Sequence, residues 1–490
     1  MSDIQLPYLE TSILVALLGA VWVGRIRDAE LARRWSLVLS TIVLVCVAGS
    51  SIEFLLMGES QTPLAKRFGS NLLVVEELNG PLLFLTALLY LMTTVATSRI
   101  RVRRFSFGWT LASEAILLAT LGCKEPWGIV ALLAVGTLPP FFELRARHRP
   151  WRIYALHMGL FVVLLVAGWA IVEAEGGLGQ QHSWLAMVPL LGAIFIRCGL
   201  FPFHCWMTDL FEHAAFGSAI LFVAPMVGAY AAVRLVLPIA PDWALRGIGL
   251  MSLFTALYCA GMALVQREGR RFFCYVFLSH SALVLVGMDT IASRGNDGVI
   301  GLTGGLCVWL SVGLALAGFG LVLRALESRH GRLSLAHYHG LYDCTPTLAV
   351  GFLLTGLASL GFPGTFGFLA TELLVDGAVE SYAFNVGLVV VVVAALNGVA
   401  VVRAYFLLFT GTKHVSSVPL AIGPREKLTV LALAVLILVG GLFPQQAVGS
   451  RNKAAVEIRD QRRKLFGGEA AELPVSASDA RLAQKDEPAE

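Results

Sequence analysis

The chain has 490 residues, of which 57% are hydrophobic and only 14% are charged, and its mean hydropathy is +0.75. Soluble domains carry about 25% charged residues, so this composition excludes a soluble enzyme, a nucleic-acid-binding protein and a disordered chain. The formal net charge of +4 says little by itself, because the positions of the charges determine how a membrane protein is oriented. The sequence therefore predicts a protein that crosses the membrane many times.

Fourteen apolar stretches are candidates for membrane-spanning helices, each of which needs about 20 apolar residues. They cover residues 8–24, 35–57, 79–98, 105–123, 127–144, 151–173, 184–208, 217–237, 244–265, 272–292, 299–325, 346–376, 384–411 and 427–446. Because lipid-spanning segments must be helices or closed barrels, the expected fold class is an all-α polytopic membrane protein. An amphipathic stretch and a disordered tail are expected after the last span.

Basic residues in the loops predict the orientation. Most lie in the odd-numbered loops, and the even-numbered loops hold only Lys66, Arg67, Lys124, Arg246 and Arg294. Lys and Arg are enriched in cytoplasmic loops, so we expect the odd-numbered loops in the cytoplasm and both termini outside, in a bacterial inner membrane. The side of the basic C-terminal tail is left open, because an error of one span would move it inside.

The cysteines give no sign of a metal centre. All eight are scattered, nearly all in apolar runs, and none forms a C-x-x-C pair. Zinc sites and disulfide frameworks need clustered thiols, and no iron–sulfur or haem pattern is present. We therefore expect no cofactor and no metal, and any redox chemistry would lie on another chain.

Two spans are interrupted near their middle. The seventh contains Arg197-Cys198-Gly199-Leu200-Phe201-Pro202, and the twelfth contains Gly361-Phe362-Pro363-Gly364. Proline should break each helix, and backbone freed at membrane depth is tolerated only beside protein or water. Paired breaks indicate a transport site between inverted repeats, whereas either break alone could be a kink that serves packing. Two five-helix units, spans 4–8 and 9–13, would place each break fourth in its unit.

These units suggest a division of the chain into five parts. We expect an N-terminal three-helix segment, two five-helix repeats, a C-terminal helix and a polar tail, at residues 1–104, 105–240, 241–415, 416–447 and 448–490.

Few charged residues lie in the spans, and a charge at the bilayer centre is costly enough to suggest a function. The basic ones are Arg197, Arg234 and Arg403, and the acidic ones are Glu53, Glu114, Glu372 and Asp376. Glu114 is expected near the middle of the membrane, and we hypothesise that it pairs with Arg197. Arg234 and Arg403 lie at span ends, where we expect them to extend to the head groups.

The motifs around the breaks resemble those of the antiporter-like, proton-conducting subunits of complex I, membrane-bound hydrogenases and Mrp-type sodium/proton antiporters. Residues 197–213 resemble the family motif K-x-P-x-x-P-F-H-x-W-L-P-D-A-H-E-x, and residues 270–281 are similar to K-R-x-x-A-Y-S-S-x-S-H. Residues 360–368 resemble L-G-x-P-G-x-x-G-F, and residues 403–406 resemble R-x-Y-F. The matches run in the family's order over residues 75–410.

The resemblance implies two half-channels that meet along a line of buried charges. In the family these are a Glu on the fifth helix, a Lys on the seventh, a Lys or His on the eighth, and a Lys or Glu on the twelfth. The aligned residues here are Val135, Arg197, Met226 and Thr371, with Glu372 one residue later and thus about 100° around the helix. An arginine does not readily release its proton, so Arg197 would be a fixed charge.

The candidate proton pathway therefore consists of Glu114, Arg197, His280, Glu372 and Asp376, with His204, Asp209 and Glu212 as candidates in the cytoplasmic-side loop. Each of these residues also has a structural interpretation. Arg197 could bond the carbonyls freed by the break, Asp376 could be a solvated helix end, and His204 could merely cap a helix.

The expected function is proton translocation within a multi-subunit complex that couples proton flux to a partner. The expected partners are protons, membrane lipid and a large soluble or membrane subunit. That subunit could be the zinc-containing half of a two-component inorganic-carbon (CO2/bicarbonate) uptake system, which the compact length and the divergent carrier residues favour. It could also be part of a complex I-like NADH/quinone or hydrogenase enzyme. A structural subunit with a degenerate proton path, or a free-standing sodium/proton exchanger, would also fit the sequence.

Overall fold

The computed structural model describes residues 7–58, 60–61, 72–97, 102, 105–180, 182–292, 297–381, 384–411 and 422–466. Several basic residues of the predicted loops, including Lys66, Arg67 and Arg294, lie outside the described residues, as does the predicted disordered tail beyond residue 466.

The first half of the described chain consists of helices, the loops between them and one small hairpin. Its helices are α1 (Tyr8–Arg25), α2 (Ala29–Met57), α3 (Gly80–Val95), α4 (Phe107–Gly122), α5 (Pro126–Gly136), α6 (Leu138–Ala146), α7 (Arg152–Ala174), α8 (Trp184–Cys198), α9 (Cys205–His213), α10 (Phe216–Val223) and α11 (Val227–Ala231). A π-helical turn, Ala232–Val236, continues α11. The hairpin pairs β1 (Ser60–Gln61) antiparallel with β2 (Val74–Val75).

The second half of the described chain consists of eight further helices. They are α12 (Asp242–Val265), α13 (Gly269–Asp289), α14 (Asp297–His330), α15 (Pro346–Ser359), α16 (Phe366–Ser381), α17 (Phe384–Phe409), α18 (Pro424–Leu442) and α19 (Gln445–Phe466). The last of these is the amphipathic stretch expected after the final span. Its Arg451 donates to the carbonyl oxygen of Leu78 at 2.8 Å, which ties the helix to the segment before α3.

The helical, polytopic fold class is confirmed. By length and composition, nine described helical segments can cross a membrane, or ten if α18 and α19, which meet at 73°, form one span. Four further apolar helices, α3, α4, α8 and α15, are shorter. The number of fourteen spans and the inverted repeats remain predictions.

Both predicted interruptions are present. The seventh span divides into α8 and α9 at Gly199, whose φ is 67°, and the twelfth divides into α15 and α16 at Gly361 and Gly364, whose φ angles are 81° and 86°. Glycine adopts this left-handed conformation without the steric cost that a side chain imposes. The two breaks are therefore encoded by their glycines as well as by their prolines.

The eighth span is also interrupted, although its sequence did not predict a break. Helix α10 ends at Val223, and Met226 has a φ of 49° before α11 begins. The carbonyl oxygen of Pro225, freed by this break, accepts a hydrogen bond from Trp309 Nε1 of α14 at 3.2 Å. A buried partner thus satisfies the backbone at membrane depth, as lipid requires.

Helix α14 contacts its neighbours through glycines. A Cβ atom on Gly287 of α13 would lie 2.6 Å from the Cα atom of Gly305, and Cβ atoms on Gly304 and Gly377 would collide with backbone atoms across the α14–α16 interface. Small residues allow such close approach between membrane helices, whose association depends on van der Waals packing rather than on a hydrophobic difference. This glycine seam fixes how α16 faces α14.

We expect Gly377→Ala to lower the free energy of unfolding by about 1–3 kcal/mol, because the added methyl group must push two backbones apart. The measurement is the thermal unfolding midpoint in detergent. Gly159→Ala on α7 is the matched control, since nothing lies within 4 Å of its Cβ position, and it should be neutral or slightly stabilising. Equal midpoints for the two variants would contradict the close contact.

Candidate functional site

The site begins at the first break, at the end of α8. Trp206 Nε1 donates to the freed carbonyl oxygen of Ile196 at 2.7 Å, and the amide of Leu200 donates to Phe195 O at 2.9 Å. Arg197, in the last turn of α8, forms no hydrogen bond with these carbonyls. Trp206, and not Arg197, therefore provides the hydrogen bond to the carbonyl oxygen that the break leaves free.

Arg197 is buried among aromatic rings. Its side chain is 6% exposed, and its guanidinium carbon lies 4.2 Å from the ring centroid of Phe222 and 5.8 Å from that of Trp206. Within the described part of the chain, Nε has no hydrogen-bond partner and no carboxylate lies within ion-pair distance. Cation–π contacts of this kind contribute about 2 kcal/mol when desolvated, whereas burying a charge costs several.

The hypothesised ion pair between Glu114 and Arg197 is not formed. Glu114 is fully buried on α4, and its Oε2 accepts a hydrogen bond from Ser40 Oγ of α2 at 3.0 Å, whereas Oε1 has no described partner. Helix α4 packs against α1 and α2, so this face of α4 directs the carboxylate toward α2 rather than α8. Val135, aligned with the family's glutamate, is 44% exposed on α5.

The second break encloses a small cavity lined by four polar residues and seven apolar ones. His280 of α13, Ser311 of α14, Ser359 at the end of α15 and Thr371 of α16 line a volume of about 10 Å³. His280 is 3% exposed, and its Nδ1 lies 2.7 Å from the carbonyl oxygen of Val276. A cavity of about 10–15 Å³ is near the minimum for one water molecule, so the histidine and the three hydroxyl groups enclose room for little more.

Helix α13 joins the two breaks. Ser281 lines a cavity beside Arg197, and the preceding residue, His280, lines the cavity at the second break. Consecutive residues on a helix point about 100° apart, so one turn of α13 serves both cavities. The structure thus brings Arg197 and His280 to the two sides of a single helix.

Glu372 and Asp376 are placed differently from our expectation. Both are exposed on α16, one turn apart, whereas Thr371 faces the cavity. The reason is the rotation of about 100° per residue, which turns Glu372 away when Thr371 faces inward. Neither carboxylate belongs to the line of groups between the breaks in this structure.

The three candidates expected in the cytoplasmic-side loop lie at the start of α9 and within it. His204 occupies the N-cap position of α9 without a capping hydrogen bond from its side chain, and Asp209 lies 3.2 Å from His213. Glu212 binds Arg271 through oxygen–nitrogen distances of 2.6 and 3.0 Å. Partial burial acts to raise the pKa of Glu212, but the hydrogen bond and charge of Arg271 outweigh it, so the pKa lies below the ordinary value.

Arg234 does not extend to the head groups as expected. It forms a buried ion pair with Glu76, and Lys124 Nζ lies 3.2 Å from the other carboxylate oxygen of Glu76. Arg234 Nε also donates to the hydroxyl of Tyr230 at 3.1 Å. The spans alone could not predict this ionic cluster, because Glu76 and Lys124 lie in segments assigned to loops.

Arg403 is also bound within the protein, since its Nη1 donates to the carbonyl oxygen of Leu264 at 2.8 Å. A further buried polar pair joins α17 to α13, where Asn397 Nδ2 donates to Ser279 Oγ at 2.7 Å. Both side chains are fully buried. The only sequence signal for this pair was a single asparagine within a long apolar run.

The described residues contain no group of three or more His, Cys, Asp or Glu side chains arranged to hold a metal ion. What the arrangement offers is proton chemistry: a buried cation, a buried histidine and several hydroxyl groups at two helix breaks. Interrupted helices around such groups fit the resemblance of the sequence motifs to the antiporter-like class of membrane subunits.

Comparisons with known proteins agree with this class. Residues 154–397, just under half of the chain, match the family model described as "NADH:quinone oxidoreductase/Mrp antiporter, TM". NAD(P)H-quinone oxidoreductase chain 4 1 of Synechococcus elongatus is 25% identical, covering 91% of this chain and 90% of that protein. F(420)H(2) dehydrogenase subunit M of Methanosarcina mazei is 29% identical over 48% of this chain, which spans 45% of that relative.

The fold is also found in a solved structure. A chain of respiratory complex I from Thermus thermophilus superimposes with a TM-score of 0.79 at 18% identity, covering 93% of this chain and 99% of that one.

Proposed function

We propose that this chain is a proton-translocating subunit of a multi-subunit complex in a bacterial inner membrane. The observation that supports this most directly is the cavity at the second break, where His280 lies with three hydroxyl-bearing residues. Histidine is the side chain whose protonation changes most readily near neutral pH, and hydroxyl groups both donate and accept hydrogen bonds. Together they can receive a proton and pass it on when the hydroxyls of Ser359 and Thr371 turn away from the carbonyl oxygens of Gly356 and Gly367, to which they donate in this structure.

Four residues have distinct roles in this proposal. Arg197 is a fixed positive charge that alters the proton affinity of groups near α13, since a neighbouring charge shifts such equilibria. His280 carries the proton, and Thr371 replaces the family's ionisable residue with a hydroxyl relay. Glu114 is a separate proton-binding carboxyl on the α2 side of the protein.

The positions of Thr371 and Glu372 provide the test of this path. The complex that co-purifies with the tagged chain is reconstituted into proteoliposomes, and a potassium diffusion potential drives proton entry, read with an internal pH dye. Thr371→Val should reduce the flux by about tenfold, which corresponds to about 1.4 kcal/mol in barrier height. Glu372→Gln, one residue away on the exposed face, should retain most of the flux. The opposite ranking would show that the path follows the outer face of α16.

The proposal extends to the identity of the partner subunit. We propose a partner subunit that supplies the driving reaction or the cargo. Quinone- and F420H2-linked names among the relatives favour an electron-transfer arm, whereas the substituted carrier residues support an inorganic-carbon uptake partner. Metal and flavin analysis of the purified complex separates these, because zinc alone indicates the second and iron with flavin indicates the first.

A structural subunit without conduction is the competing function. The exposed position of Val135 and the apolar Met226 favour it, because neither can carry a proton. Wild-type proteoliposomes with no flux above protein-free vesicles would support this competing function and would refute the proposed translocation.

A further inference from the structure

Arg197 differs from the other buried arginines of the described chain. Each of the others has an oxygen partner from the protein, and these are Arg33, Arg324, Arg451 and Arg462. Arg197 has aromatic rings on its flank but no hydrogen bond and no carboxylate within the described residues. Buried charges are normally paired. This cation therefore needs a counter-charge, and no described residue of the protein provides one.

A cavity lies directly beside this cation. Its lining includes Arg197, Cys198, Met207, Met226 and Ser281, and its volume is about 20 Å³. A single water molecule needs about 10–15 Å³, so the cavity has room for one species of that size or slightly larger. The lining has a cationic side chain and a hydroxyl group but no carboxylate, which favours an anion over a cation.

We propose that this cavity binds one monatomic anion of the size of chloride, held by the Arg197 guanidinium; the Ser281 hydroxyl on the cavity wall donates to the carbonyl oxygen of Leu278 at 3.2 Å in this structure and would have to turn to bind the anion. The anion supplies the negative charge that neither Glu114, bound to Ser40, nor the exposed Val135 position provides. A larger oxyanion exceeds the volume. The site goes beyond the proposed function, and because binding is measured without proton flux, the two proposals can fail independently.

Chloride binding is tested on the purified complex after exhaustive dialysis into gluconate. Chloride titrated at constant ionic strength should raise the thermal unfolding midpoint saturably, by about 3–5 °C at high occupancy. Radioactive chloride should bind at about one ion per chain. Arg197→Gln should abolish both effects, because it removes the cation that holds the ion.

Met226 gives a second pair of variants in case the Arg197 variant fails to fold. Met226→Glu places a carboxylate in the same cavity, so it should abolish chloride binding while the protein remains folded in gluconate. Met226→Gln has the same shape without the charge and should bind chloride within about threefold of wild type. Chloride binding that persists in Met226→Glu, or the absence of a saturable effect in wild type, would overturn the proposal; the second result would identify the cavity as one that holds only water.

Discussion

Replacement of His280 by glutamine is expected to reduce proton flux through the complex by about 100-fold. Glutamine can keep hydrogen bonds in the cavity at the second break, but it cannot take up a proton at physiological pH. The loss of a positioned acid–base group typically costs about two to four orders of magnitude, and we expect the lower part of this range because nearby hydroxyl groups can maintain a slow water-mediated route. The measurement is the initial rate of dye acidification in proteoliposomes under a fixed diffusion potential.

His157 on α7 is the matched control for this experiment. Its Nδ1 lies 2.8 Å from the carbonyl oxygen four residues earlier, Ile153 O, which is the same local bond that His280 forms with Val276. The two histidines differ in environment, because His157 is partly exposed and does not line the cavity. His157→Gln should leave the flux within about twofold of wild type. Equal losses in both variants would indicate a general effect of histidine removal and would count against a proton path at His280.

The second large effect is expected from Glu76, in the ionic cluster with Arg234 and Lys124. Glu76→Gln removes the carboxylate that pairs directly with Arg234 and Lys124 and leaves the guanidinium of Arg234 buried. Breaking a buried ion pair from one side destabilises a protein by about 3–5 kcal/mol. We therefore expect a large fall in the thermal unfolding midpoint and a reduced yield of folded protein in detergent.

Two comparisons make this prediction specific. The exposed pair between Lys453 and Glu77, 3.3 Å apart with Lys453 73% exposed, is the control, and Lys453→Gln should change stability by less than about 1 kcal/mol. The double variant Glu76→Gln, Arg234→Met should recover much of the loss, because it no longer leaves an uncompensated cation. If the double variant lost as much stability as the two single variants added together, the cluster would stabilise the protein through the packing of its side chains rather than through their charges.

The parts of the fold that follow from local chemistry could be predicted from the sequence. Gly199, Gly361 and Gly364, together with adjacent prolines, predicted both helix breaks, because no other combination so strongly disfavours a continuous helix. The break at Met226 was missed because a single proline in an apolar run is also compatible with a kink. The β-hairpin was missed because two-residue strands have no detectable periodicity.

The site could be predicted only in part, because side-chain direction depends on packing between helices. The resemblance singled out His280, which lines the cavity at the second break, whereas Glu372, predicted to belong to the proton pathway, is exposed. The partner of Glu114 could not be inferred in this way. Hydropathy predicts how deep the residue lies in the membrane, but not the direction in which its side chain points around the helix axis. The Ser40 contact depends on how α4 packs against α1 and α2.

The glycine seam between α14 and α16 limits how this protein can change conformation. Turning α16 by one residue to bring Glu372 inward would move Gly377 and Gly304 out of their contacts and bring larger side chains against the backbone of α14. A rolling motion of α16 is thus sterically blocked. We therefore expect access to the second cavity to change through side-chain rotation, water entry or motion at the break itself.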